Sequence, residues 1–131
     1  MKRKLLIPGD TCHLASIRSA VRTFLDGLGF GECESTLIVL ALDEACTNII
    51  RHAYGNVCGP IRIEMTAMRN RIRFVLRDYG RPCCPEKIRS RELEDVRPGG
   101  LGVHIIQQAF DFVDYSPQRR GTRLTLERRL P

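Results

Sequence analysis

Residues 44–48 read Glu44-Ala45-Cys46-Thr47-Asn48, and the surrounding pattern places them on a helix from about residue 34 to 53. The part of this helix that precedes Glu44 is apolar on nearly every side, so we expect it to be buried. Its apolar residues are Leu37, Ile38, Val39, Leu40, Ala41 and Leu42. A carboxylate on a buried helix is rarely found without a partner, because an unpaired buried charge is costly. Glu44 is therefore the first candidate for a functional residue.

Glu44 and Asn48 are four residues apart, which on a helix means about 40° around the axis and about 6 Å along it. An amide oxygen beside a carboxylate suits a hard cation such as Mg²⁺, and the carboxylate can orient or deprotonate a nucleophile. An ion pair from Glu44 to a strand arginine, with Asn48 bonded to backbone, fits this segment equally well. His52 continues the same side near the helix end, where a histidine is typical of a cap. Asp43 is expected to face solvent.

The rest of the chain alternates between helical and strand patterns. Apolar residues at helical spacing predict helices over about 11–27 and 101–110, besides the one over 34–53. Alternating patterns predict strands over 4–7, 61–67, 72–76, 112–115 and 122–127, with a tight turn near Arg69-Asn70. A charged, irregular segment fills about 81–98. We predict one domain over residues 1–131, an α/β (α+β) two-layer sandwich with helices on one face of a mixed, mostly antiparallel sheet.

Strand parity places two polar side chains in the predicted interior. Asp78 has the parity of the apolar positions Phe74 and Leu76, and Thr122 has the parity of Leu124. A buried carboxylate at a strand end needs a donor, which an adenine amino group, a backbone N–H or an arginine would supply. Gly80 would let a ligand or the backbone approach closely. We expect these residues to line one cleft.

A glycine-rich stretch opens the predicted third helix. It reads Gly99-Gly100-Leu101-Gly102. The free N–H groups and the dipole at a helix start favour phosphate, although a glycine pair at a loop end is also common. With the two carboxylate segments, this stretch predicts a nucleotide pocket assembled from well-separated parts of the chain.

Composition and charge exclude several classes of protein. The chain has 131 residues with 43% apolar content and a net charge of +6. No apolar run approaches the ~20 residues of a membrane span, so we expect a cytoplasmic protein without a membrane contact. The basic residues are scattered and are not interleaved with aromatics, which favours a solvated basic face over direct nucleic-acid binding. The six cysteines show no zinc-ligand spacing. Cys83-Cys84 is a possible redox-sensitive pair.

Taken in order, these segments resemble the N, G1, G2 and G3 boxes of the GHKL ATP-binding superfamily. The boxes are Glu44 to Asn48 with the following Arg51-His52-Ala53-Tyr54, then Asp78-x-Gly80, Gly100-x-Gly102 and Gly121-Thr122. Within that superfamily, the short chain and the residues of its N box resemble the bacterial anti-sigma factor serine/threonine kinases. The resemblance spans about residues 14–130 and implies a Bergerat-type fold that binds ATP with Mg²⁺.

The resemblance assigns a role to each site residue. Glu44 is similar to the catalytic carboxylate, and Asn48 to the Mg²⁺ ligand. The positions that resemble nucleotide-binding residues are Asn48, His52, Asp78, Gly80, Arg97, Gly99, Gly100, Leu101, Gly102 and Thr122. Among these, Asp78 resembles the adenine-recognition acid, with Gly80 and Thr122 beside it. Residues 81–98 resemble the ATP lid, and Arg97 is the candidate lid arginine.

The resemblance also implies partners, namely a sigma factor and a small anti-sigma factor antagonist that carries the phosphorylated serine. It further implies a homodimer. The leading hypothesis is an ATP-dependent serine kinase that also sequesters a sigma factor. The alternative is a nucleotide-gated binding module without phosphotransfer. It stays open because Glu44 alone indicates catalysis, whereas the other segments indicate nucleotide binding.

Overall fold

The computed structural model describes residues 2–8, 11–55, 59–80 and 98–131, and for residues 11 and 98–103 it describes the backbone alone. The strands are β1 (Lys2–Pro8), β2 (Pro60–Ala67), β3 (Arg71–Asp78), β4 (Phe112–Pro117) and β5 (Thr122–Arg129). The helices are α1 (Leu14–Leu25), after a 3₁₀ turn at Thr11–His13, α2 (Glu32–Asn48) and α3 (Pro98–Ala109). A π-helical turn, Ile49–Ala53, continues α2.

The five strands form one sheet in the order β1-β2-β3-β5-β4, and every neighbouring pair is antiparallel. One face of the sheet is apolar because each strand alternates apolar and polar residues. Ile63, Leu76 and Leu124, which follow one another across the register, are all buried on this face. The predicted antiparallel sheet with helices on one face is confirmed.

The helices form the second layer, with α2 in contact with both α1 and α3. Phe74 on β3 connects the two layers, since its ring meets Phe24 of α1 edge-on at 5.7 Å and Phe110, just after α3, at 5.8 Å. Such edge-to-face pairs add about 0.5–1.5 kcal/mol to area burial. No helix in the described parts of the chain is both long enough and apolar enough to cross a membrane.

Two details of α2 differ from the sequence-based expectation. Leu40 is not buried but 47% exposed, because α2 presents one side to the sheet and the opposite side to solvent. Asp43 does not simply face solvent, since its Oδ1 lies 2.7 Å from the guanidinium of Arg18 on α1. The apolar run before Glu44 was too continuous to reveal which side of the helix faces outward.

Candidate functional site

Glu44 and Asn48 lie one turn apart on α2, and both side chains are partly buried. Neither makes a hydrogen bond to another side chain or backbone group within the described ranges. The alternative expectation, an ion pair from Glu44 to a strand arginine, is therefore not found among these residues. Burial raises the pKa of the Glu44 carboxyl, the neighbouring Asp43 raises it further, and Arg51 opposes both. Glu44 is thus a carboxylate with more basic character than usual.

The π-helical turn after Asn48 carries His52 and is followed by Tyr54, whose N–H donates to the carbonyl of Ile49 at 3.1 Å. In this wider turn a spacing of four residues no longer repeats the α-helical face. His52 is exposed, whereas Asn48 is partly buried. The geometry therefore gives His52 a more solvent-facing position than the helical spacing indicated.

Tyr54 fastens the end of this turn to the sheet. Its hydroxyl donates to the carbonyl of Pro60 at 2.6 Å and accepts the N–H of Tyr79 at 2.8 Å. A side chain at Gly59 would collide with the Tyr54 ring. Sequence reasoning missed this role, because both partners come from strand ends whose approach to Tyr54 depends on the tertiary fold. The helical segment of Asn48 and the strand end of Asp78 are thereby held together.

Asp78 ends β3 on the buried face and is only 3% exposed. Its Oδ1 accepts the N–H of Gly80 at 3.1 Å, and the backbone N–H of Thr122 also donates to the carboxylate. Burial raises the pKa of Asp78, while these two hydrogen bonds and the nearby Arg77 oppose the shift. The buried carboxylate is therefore held by backbone N–H groups, and among the described residues no ion pair outweighs the effect of burial on its pKa.

Thr122 begins β5 and is 4% exposed, so strand parity placed both polar residues on the correct face. Two glycines bring the surrounding segments together. A Cβ at Gly80 would collide with the Ala53 carbonyl, and a Cβ at Gly121 would collide with the backbone of Asp78. Gly121 also has φ +77°, a conformation that disfavours side chains. The end of the π-helical turn, the end of β3 and the start of β5 therefore meet at glycine contacts.

The glycine-rich stretch lies within the first turn of α3, because the helix begins at Pro98 and not at Leu101. Proline is favoured at the first helical position, where no N–H is required. The N–H groups of Gly99, Gly100 and Leu101 belong to this first turn, whose donors have no partner within the helix. Arg97, Cys83-Cys84 and nearly all of the expected lid, residues 81–97, lie outside the described residues.

The residues fit a nucleotide and a hard cation. Asp78 offers a buried acceptor for an amino group, and the first turn of α3 suits phosphate. No group of three His, Cys, Asp or Glu side chains that could hold a metal occurs in the described ranges. A cation beside Asn48 would share the oxygen ligands of the nucleotide phosphates, as Mg²⁺ commonly does.

The chain is similar to known proteins in both sequence and fold. The family described as histidine kinase-like ATPase domain matches residues 7–128. The chain is 29% identical over 119 residues to proteins named serine-protein kinase RsbW from Bacillus thuringiensis (strain Al Hakam) and Bacillus cereus (strain 03BB102). Each alignment covers 84% of this chain and 74% of the relative.

Two solved structures share the fold. One contains the RsbU and RsbW domains of Rv1364c from Mycobacterium tuberculosis, with a TM-score of 0.69 and 20% identity, covering 98% of this chain and 32% of that one. The other is the histidine kinase domain of the blue-light activated histidine kinase from Erythrobacter litoralis, with a TM-score of 0.60 and 19% identity. It covers 95% of this chain and 62% of that one. This chain thus corresponds to only part of either solved chain.

Proposed function

Since the chain belongs to the family of histidine kinase-like ATPase domains, we propose that it is an ATP-dependent protein serine/threonine kinase that also acts as an anti-sigma factor. The relatives named serine-protein kinase support the kinase class. The observation that carries the proposal is Glu44, a partly buried carboxylate one helical turn from Asn48, with a raised pKa.

The nucleotide-binding part of the proposal rests on the strand ends and on α3. Asp78 would accept the amino group of adenine, with Thr122 beside it and Gly80 allowing close approach. The first-turn N–H groups of α3, which belong to the stretch Gly99 to Gly102, would contact phosphates. Arg97 and His52 remain candidates for further contacts. Asn48 would hold Mg²⁺, which supplies charge neutralisation for phosphoryl transfer.

The catalytic part of the proposal rests on Glu44 alone. A carboxylate whose pKa lies above its usual value is a better general base, and it would orient the attacking serine hydroxyl and accept its proton. No described hydrogen bond from another residue occupies Glu44, so its oxygens are available for that contact. Phosphoryl transfer requires mainly positioning and charge neutralisation, which Asn48 with Mg²⁺ and α3 would provide.

The partners, location and domain organisation complete the proposal. The substrate would be a small antagonist protein with an acceptor serine, and the sequestered protein would be a sigma factor. A homodimer, a cytoplasmic location and a single domain over residues 1–131 are the remaining parts. The names of the RsbW relatives support the kinase class, and the partners follow from the family resemblance.

Labelled ATP, the purified protein and candidate antagonist proteins from the same genome test the kinase proposal. The expected result is label on one serine of the antagonist, and a loss of about 100-fold or more in the transfer rate for Glu44→Gln. ATP affinity, measured by titration calorimetry, should change by less than about threefold, because the proposed adenine contact is made by Asp78 and not by Glu44. Glu32→Gln is a matched control, since Glu32 begins the same helix and forms an exposed ion pair with Arg22.

The same experiment separates the two candidate functions. ATP binding without transfer to any antagonist would favour the nucleotide-gated binding module over the kinase. Full activity of Glu44→Gln would mean that another group performs the proton transfer.

A further inference from the structure

The sheet has a second face that no helix covers within the described parts of the chain. This outer sheet face comprises the even-numbered residues of β1, β2 and β4 and the odd-numbered residues of β3 and β5. It carries eight basic and three acidic side chains, a net charge of +5. The whole chain has a net charge of +6. Although the basic residues are spread along the sequence, most of their excess over acidic residues therefore lies on this face.

Three arginines form a row across the middle of this face. The register places Arg62 on β2 directly opposite Arg77 on β3, and Arg77 directly opposite Arg123 on β5. Like charges at directly opposed positions destabilise a sheet. Arg62 and Arg123 are exposed and form no ion pair with another described residue. By contrast, Lys4 faces Glu64 and Arg73 faces Glu127, each within ion-pair distance.

Exposed apolar side chains occur on both edge strands of this face. Leu6 lies opposite Arg62, at one end of the arginine row, and is 66% exposed. Phe112 is 48% exposed and lies opposite Glu127, four residues along β4 from Ser116, which faces Arg123 at the other end of the row. Beside Leu6, a groove of about 430 Å³ is lined by Leu6, Ile7, Pro8, Gly59 and Pro60. Arginine together with exposed aromatic and aliphatic side chains is typical of a protein interface.

We propose that the outer sheet face is a docking surface for an acidic helix of a partner protein. Adjacent strands are ~4.8 Å apart, so the row from Arg62 to Arg123 spans roughly 10 Å. Carboxylates at i, i+4 and i+7 on a helix span ~10 Å in similar steps. A helix that crosses the strands could therefore place one carboxylate at each arginine, with an apolar residue in the groove beside Leu6. This surface lies on the opposite side of the sheet from the helices and does not depend on the proposed kinase activity.

A designed peptide can stand in for the acidic helix of the partner protein. The probe is a fluorescent, alanine-based helix of about 18 residues with glutamates in one i, i+4, i+7 stripe and a leucine at one end. A scrambled peptide has the same composition with the glutamates spread around the helix. Anisotropy titrations should show at least fivefold tighter binding of the striped peptide. Equal binding of both peptides would overturn the proposal, because net charge alone would then explain the attraction.

Charge-reversal variants locate the binding on the protein. R62E/R123E should weaken binding of the striped peptide by at least tenfold. R69E/R120E removes the same charge from exposed turn residues and should change it by less than about threefold. Arg77 is left unchanged because its guanidinium donates to the backbone carbonyl of Asp78. Equal losses in the two double variants would refute a site at the arginine row.

Two further measurements test the repulsion between the arginines and the alternative that this face binds nucleic acid. Arg62→Glu replaces a like-charged pair by an opposite one, so it should raise the Tm of the free protein by about 2 °C. A lower Tm would contradict the proposed electrostatic repulsion between Arg62 and Arg77. A duplex DNA of about 20 base pairs should bind more weakly than the striped peptide at 0.15 M salt. Tighter DNA binding that falls steeply with salt would assign the face to nucleic acid instead.

Discussion

Replacing Asp78 by asparagine should weaken ATP binding without destabilising the free protein. Asparagine keeps one acceptor oxygen for the N–H of Gly80, which now donates to Oδ1 at 3.1 Å. Its second polar atom becomes an NH₂ donor, so an adenine amino group would meet a donor where the carboxylate offers an acceptor. Loss of a hydrogen bond to a charged group costs about 1.5–3 kcal/mol. The Kd for ATP should therefore rise about tenfold to 150-fold.

The stability of this variant follows from the pKa of Asp78, which burial raises above its usual 3.8. A carboxyl with a raised pKa in the folded state binds protons more readily there than in the unfolded chain. The contribution of the Asp78 carboxyl to stability is therefore most favourable below its pKa in the unfolded chain. It is lost as the pH rises through its pKa in the folded protein. At pH 7 the ionised Asp78 thus costs stability, and asparagine removes that cost. The Tm of Asp78→Asn should equal or exceed the wild-type Tm at pH 7, and the difference should shrink as the pH falls towards 4.

Titration calorimetry with ATP and thermal unfolding measure the two effects separately. Asp114→Asn is the matched control, because Asp114 is exposed on the outer sheet face and should leave the Kd unchanged. An affinity within about threefold of wild type would refute the role of Asp78 in nucleotide recognition. A Tm of Asp78→Asn lowered by roughly 6 °C or more would instead refute the argument that the ionised Asp78 carboxylate lowers the stability of the folded protein.

Three further changes probe the supports of the site. Tyr54→Phe removes the hydroxyl that joins two strand ends, and should cost about 1–2 kcal/mol in the free energy of unfolding and weaken ATP binding, as denaturant titration and calorimetry would show. Gly121→Ala should lower the Tm by roughly 6 °C or more, because φ is +77° and the new methyl group collides with the backbone of Asp78; an unchanged Tm would contradict that packing. Single-turnover transfer rates should rise with pH through a pKa above 4.5, and Asp43→Asn should move that rise to lower pH because Asp43 raises the pKa of Glu44; an unmoved profile would exclude Glu44 as the titrating group.

The burial of the site residues that lie on strands could be predicted from the sequence. Asp78 and Thr122 share the parity of apolar neighbours, and because one face of each strand is buried, parity alone determines their side. The continuous apolar run before Glu44 carries no such information, so the exposure of Leu40 and the ion pair of Asp43 were missed. The role of Tyr54 could not be predicted, because it depends on residues 6 and 25 positions away that only the tertiary fold brings to its hydroxyl.

The binding and catalytic halves of the proposed site are supported by different kinds of contact. Asp78 is fixed by backbone N–H groups and by the close packing of Gly121, so several segments would have to move before its position changed. Glu44 is held by α2 alone, with no hydrogen bond to another described group. Loss of the Glu44 carboxylate would therefore leave the nucleotide pocket intact. With the proposed roles, a single substitution at Glu44 would abolish phosphotransfer and keep nucleotide binding, so affinity for ATP and transfer to serine have to be measured as separate properties.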